Sequence, residues 1–163
     1  MPRKIGLLMG SINDFDKVKP AVDLLKTLEI PVEAHVYSAH RTPAQAAEFA
    51  SGARANGFGA IICAAGMAAH LAGAVAAQTT LPVIGIPVKA SLDGLDALLS
   101  TVQMPPGIPV ATVGVDGAYN AAILAAQILA VEDGELAAKL AAMREKMAQS
   151  VLEKDAQLQE MLG

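Results

Sequence analysis

The chain has no tryptophan, two tyrosines, three phenylalanines and one cysteine. Each scarcity excludes something. A single cysteine, Cys63, forms no intramolecular disulfide, so the core alone must hold the fold, and a reducing, cytoplasmic setting is expected. Three scattered histidines and one cysteine do not have metal-ligand spacing, so no metal is expected. With 12 basic against 16 acidic residues the net charge is -4, which leaves no broad basic face for a nucleic acid; a small cationic pocket is compatible with it. No charged segment followed by an apolar run opens the sequence, so no signal peptide is expected. The one long apolar run, residues 59–77 (GAIICAAGMAAHLAGAVAA), is mostly alanine and glycine, carries His70 and lacks flanking Lys or Arg. It reads as a buried strand, a glycine-containing turn and a small-residue helix, not as a membrane span.

What is present is alanine and glycine. Hydrophobic residues make up 53% of the 163, enough for one domain over residues 1–163 whose elements pack closely. Short apolar runs at residues 4–9, 32–37, 60–64, 82–87 and 109–113 alternate with stretches whose apolar residues recur every three or four positions, such as Val22, Leu25 and Leu28. That alternation predicts an α/β fold: a three-layer, flavodoxin-like parallel sheet with helices on both faces. Glu33 and His35 break the second run and suit an edge strand, with His35 exposed. Thr42-Pro43 predicts a helix start capped by Thr42, and Gly57 its end near Asn56. Pro20 must lie in the first turn of its helix or bend it. From Asp133 onward charge rises, and Leu136, Leu140, Met143 and Met147 form a narrow stripe. Residues 133–163 therefore read as a C-terminal helical extension, either lying on its own domain or packing as an arm on a neighbouring subunit.

Ligands of open α/β sheets bind beyond the carboxyl ends of the strands. After the first strand come Gly10, Ser11, Asn13 and Asp14: a tight turn, a hydroxyl, and a carboxylate able to take sugar hydroxyls or cap the helix, with free helical N–H groups favouring an anion. After the second come Ser38, His40 and Arg41; a guanidinium is a planar fork for phosphate or carboxylate, and a histidine exchanges protons near neutral pH. After the third, the turn 64–70 (AAGMAAH) puts His70 at the same sheet edge. Three turns thus converge on one alanine-walled crevice. Lys89, Ser91 and Asp93, after the fourth strand, could line or cover it, and Asn120 reads as a turn or cap residue.

Several stretches together resemble the class I N5-carboxyaminoimidazole ribonucleotide mutases of purine biosynthesis: GS-x-x-D at residues 10–14, SAHRTP at 38–43, AAHL at 68–71, GLDALLS-x-VQMP at 94–105 and NAA-x-LAAQIL at 120–129. SAHRTP is the most specific, and AAHL favours these mutases over the related class II carboxylases. The resemblance implies transfer of a carboxylate from N5 to C4 of an imidazole ribonucleotide without metal or organic cofactor, by a cytoplasmic homo-octamer. It implies His40 as general acid/base, His70 at the carboxylate site, and Ser11, Asp14, Ser38 and Arg41 at the ribose phosphate, with Gly10, Asn13, Gly66 and Leu71 beside them. The chain departs from the family pattern at Asn13, Ala64, Met67, Ala72 and Tyr119. Met67 is strained if its position needs a positive φ, and crowds the substrate if the backbone must come close. A diverged aminoimidazole ribonucleotide carboxylase and a non-catalytic nucleotide-binding module stay open as alternatives.

Overall fold

The computed structural model describes residues 3–163. Five strands, β1 (Lys4–Met9), β2 (Val32–Val36), β3 (Phe58–Gly66), β4 (Val83–Val88) and β5 (Ala111–Thr112), form one parallel sheet in the order β2-β1-β3-β4-β5. The strands are joined through α1 (Phe15–Thr27), α2 (Pro43–Gly52), α3 (Leu71–Ala76) and α4 (Leu95–Val102); α5 (Ala118–Ala130) and α6 (Gly134–Leu162) follow. β2 is the edge strand its polar residues suggest, whereas β1, β3 and β4 are almost wholly buried and apolar.

Alternating side chains of the sheet feed two cores. On one face Ile5, Leu7, Ile62 and Ile84 meet Val18, Leu25 and the alanine face of α5, Ala118, Ala121, Ala122, Ala125 and Ala126. On the other, Leu8, Ile61 and Cys63 meet Ala46 and Ala50 of α2 and Leu71, Ala72 and Val75 of α3. Small residues let helices sit close: a β-carbon on Gly85 would come within 2.3 Å of the Thr101 methyl in α4. Thr101 is buried there and donates its hydroxyl to the carbonyls of Ala97 and Ala69.

The structure departs from the sequence expectations in four places and decides an alternative in a fifth. β5 is only two residues long, because Pro109 supplies no N–H to a ladder and Val113 reaches the sheet only through a bond from its N to Gly85 O, 3.1 Å. α2 ends at Gly52, short of Asn56, and turns bring the chain to Gly57 at φ +81°. Thr42 precedes α2 without capping it: its hydroxyl donates to Ser38 O and accepts from Ser38 N at 2.7 Å, closing the turn instead. Of the two placements open to Pro20, the first turn is excluded: Pro20 lies inside α1, which begins at Phe15. His35 is half-buried, stacked on Tyr37 with ring centroids 4.8 Å apart.

α6 begins on the body, with Leu136 buried and Leu140 and Met143 packed against the core. Asp133 caps it, accepting from Leu136 N. Its 29 residues span roughly 43 Å at 1.5 Å per residue, and from Arg144 onward every residue is exposed. No helix among the described residues is long and apolar enough to cross a membrane.

Candidate active site

β1 sends its chain to β2 on one side of the sheet, and the next strand, β3, lies on the other. The loops leaving β1 and β3 therefore diverge, opening a crevice at their carboxyl ends. A cavity of about 380 Å³ lies there. Gly10, Ser11 and Asp14 line it from the β1 loop, Ser38, Ala39, His40 and Arg41 from the β2 loop, Gly66, Met67, His70 and Leu71 from the β3 loop, and Ala90 from the β4 loop. Three turns named from sequence thus share one space. Asn13 is not among the lining residues.

Local hydrogen bonds shape the turns that carry these groups. Ser11 caps the 3-10 turn, accepting from Asn13 N at 3.2 Å. Asp14 makes no side-chain cap bond, which leaves its carboxylate to the crevice. Burial pushes that carboxyl above its ordinary value, opposed by the backbone N–H of Ser11. Ser38 Oγ accepts from the backbone N of both His40 (3.3 Å) and Arg41 (3.2 Å), so one hydroxyl shapes the turn that presents them. Arg41 donates to Gly10 O at 3.0 Å, spanning the crevice mouth from the β2 loop to the β1 loop.

His70 precedes α3. Its Nδ1 lies 3.2 Å from Ser100 O, an acceptor, so Nδ1 carries the proton and Nε2 is the nitrogen left for a ligand. Leading into it, Met67 has φ +57°: the position does require the left-handed region, and the Met is strained there by about 1–2 kcal/mol. It is 61% exposed at the rim.

Of the β4-loop candidates, Lys89 pairs with Asp93 at 3.0 Å and Ser91 donates to Asp96, so these side chains hold the loop while Ala90 faces the cavity. Ala39, Ala65, Ala68 and Ala90 had no chemical signal in the sequence; only their apolar character suggested a wall. Asn120 falls in the first turn of α5, behind Gly117 as its cap residue. A larger cavity of about 750 Å³ lies at the opposite sheet end, by Arg3, Pro31 and Leu136. Two ion pairs lie on its wall, Lys139 with Glu29 and Arg3 with Glu132, and it sits away from the strands' carboxyl ends.

Fold and crevice together define the class: a parallel α/β protein, helices on both faces, with a crevice lined by Ser11, Asp14, Ser38, His40, Arg41 and His70 at the point where strand order reverses. The chain belongs to the AIR carboxylase family, whose model matches residues 4–150. It is 53% identical to the N5-carboxyaminoimidazole ribonucleotide mutase of Methanocaldococcus jannaschii, over 96% of this chain and 98% of that one. It is equally identical to the N5-carboxyaminoimidazole ribonucleotide mutase of Bacillus subtilis, over 94% and 97%. A crystal structure of Treponema denticola PurE superposes with a TM-score of 0.87 at 30% identity, covering 96% of this chain and 98% of that one.

Proposed function

We propose that this protein is an isomerase that moves the carboxylate of N5-carboxyaminoimidazole ribonucleotide from N5 to C4, giving 4-carboxy-5-aminoimidazole ribonucleotide. The observation that carries the reading is the gathering of Ser11, Asp14, Ser38, His40, Arg41 and His70 around one cavity of about 380 Å³, in a chain 53% identical to proteins of that name. Arg41, Ser11 and Ser38 hold the phosphate, and Asp14 accepts from the ribose hydroxyls. Gly10, Gly66 and Leu71 shape the space around the ring, and Asn13 stands just outside it.

The chemistry follows from what surrounds the carbamate. Brought beside alanines, the carbamate exchanges hydration for an apolar wall, which favours breaking the N–C bond to neutral carbon dioxide. Protonated His40 gives its proton to the departing nitrogen. The freed carbon dioxide stays beside a held ring, so C4 attacks it at high effective concentration. Neutral His40 then removes the C4 proton, restoring the aromatic ring and its own starting state. His70, anchored through Nδ1, directs Nε2 at the carboxylate. Nothing in this sequence of steps calls for a metal or organic cofactor.

A homo-octamer in the cytoplasm belongs to the same reading. Two exposed apolar stripes support assembly: Leu95, Leu99 and Val102 along α4, with Leu92 in the turn before it, and Met147, Val151, Leu158 and Leu162 along α6. The family's description favours a second reading, carboxylation of the aminoimidazole ribonucleotide by dissolved carbon dioxide.

A spectrophotometric assay of the wild type and His40→Asn with the carbamate ribonucleotide, without ATP, tests the proposal. Turnover of the carbamate that falls by about 10²–10⁴-fold in the variant, with product binding kept, is expected. Wild-type turnover only of the decarboxylated amine plus carbon dioxide supports the carboxylase. Ligand binding without turnover of either supports a nucleotide-binding module.

A further inference from the structure

Asp116 lies in the loop between β5 and α5 and lines no part of the crevice, yet three segments meet on it. Its backbone is left-handed, φ +56°. Its N donates to Pro87 O at 2.8 Å, at the end of β4. One carboxylate oxygen accepts from Lys89 N at 2.9 Å, and the other from Lys17 Nζ at 2.6 Å, on the first turn of α1. Burial disfavours the charge, but the Lys17 and Lys89 hydrogen bonds and the charges of both lysines outweigh it and hold the carboxyl below its ordinary value.

The loop that Asp116 grips, residues 89–94, has reason to need holding. Leu92, Asp93 and Gly94 are left-handed in succession, at φ +45°, +54° and +84°. The Lys89–Asp93 pair is internal to the loop, and Ser91 reaches only as far as Asp96. Gly94 packs directly on the residue before Asp116: a β-carbon there would lie 2.6 Å from Val115 Cγ1. Ala90 of this loop forms one wall of the crevice, and Gly66 lets it approach β3, since a β-carbon on Gly66 would stand 3.3 Å from that of Ala90. Asp14, which also lines the crevice, immediately precedes the helix that carries Lys17.

We propose that Asp116 is a positioning residue: its carboxylate clasps the 89–94 loop to the start of α1 and so sets the spacing between the Ala90 and Asp14 walls of the crevice. The proposal rests on reading that crevice as the substrate site. Two variants separate positioning from plain stability. Asp116→Gly removes the carboxylate while suiting the left-handed backbone, and Asp116→Asn keeps an acceptor for Lys89 N but loses the ion pair with Lys17.

Amide hydrogen exchange of the free proteins and steady-state kinetics with the carbamate ribonucleotide are the readouts. In Asp116→Gly, exchange of residues 89–94 is expected to rise about tenfold. KM is expected to rise about tenfold with kcat within about threefold, Asp116→Asn falling between, while the melting temperature stays close to that of the wild type. Unchanged exchange in residues 89–94 overturns the clasp, with or without activity. Faster exchange with unchanged KM overturns its role at the site. A wild type that does not turn over the carbamate refutes the mutase reading instead. In that case the exchange comparison still decides the clasp, and calorimetric affinity for 5-aminoimidazole ribonucleotide replaces KM.

Discussion

The imidazole of His70 occupies the space that a side chain on Gly73 would fill. A β-carbon built on Gly73 would lie 2.3 Å from the ring's Cε1 and 2.7 Å from Nε2. The glycine is therefore half of the device that orients this histidine; the carbonyl of Ser100 at Nδ1 is the other half.

Gly73→Ala tests that relationship. In a helix, alanine is favoured over glycine by about 1 kcal/mol, so the helical backbone itself gains. The ring must swing away and lose Ser100 O. The expected outcome is a fall in kcat/KM of about tenfold or more with far-UV circular dichroism unchanged. Unaltered kinetics would show that the orientation of His70 does not matter to turnover.

Met67→Gly should make the protein more stable. The left-handed position costs a Met about 1–2 kcal/mol, and glycine returns part of that gain through its freer unfolded chain. A net stabilisation near ~1 kcal/mol raises the melting temperature by about 2–4 °C in a chain of this size. Thermal melts of the two proteins check it, and a lower midpoint for the variant contradicts the strain.

Asp14→Asn should trade binding for stability. Because the folded state raises the Asp14 pKa, the folded protein holds that proton more tightly than the unfolded chain. The ionised carboxylate is thus a burden, fully present above the folded pKa and relieved as pH falls toward the unfolded value. The variant should melt higher than the wild type at neutral pH, by an amount that shrinks on acidification. Its KM for the ribonucleotide should rise about tenfold or more. A melting difference that grows as the pH falls would reverse the sign and sink the argument.

Truncation after Val131 removes α6, whose Leu136, Leu140 and Met143 belong to the same core cluster as Leu28, Ile30 and Leu129. The expected outcome is a smaller assembly by sedimentation velocity with the secondary structure of the remaining body kept. An unchanged sedimentation profile removes α6 from the assembly.

Much of this architecture is written locally. Continuous apolar runs flanked by glycine and proline mark β1, β3 and β4, since a strand buried on both faces has no polar side to show. The edge position of β2 follows from Glu33 and His35 for the converse reason. SAHRTP carried Ser38, His40 and Arg41 as a unit because a tight turn depends on neighbours in sequence. Element ends were less legible. Thr42 looks like a cap until its hydroxyl is seen closing the Ser38 turn, a choice between two local N–H donors that residue type cannot settle.

The sequence by itself determined the parallel α/β class, the strand segments and the three polar turns, because periodicity and turn chemistry act over a few residues. Only the tertiary structure decided that those turns enclose one cavity, since that depends on β3 crossing to the far side of β1. The same holds for Asp116, tied to Lys17 across 99 positions, and for the left-handed backbone at Met67. Such relationships join segments that the chain's local chemistry leaves independent, and the packing of the sheet and its helices is what brings them within reach of each other.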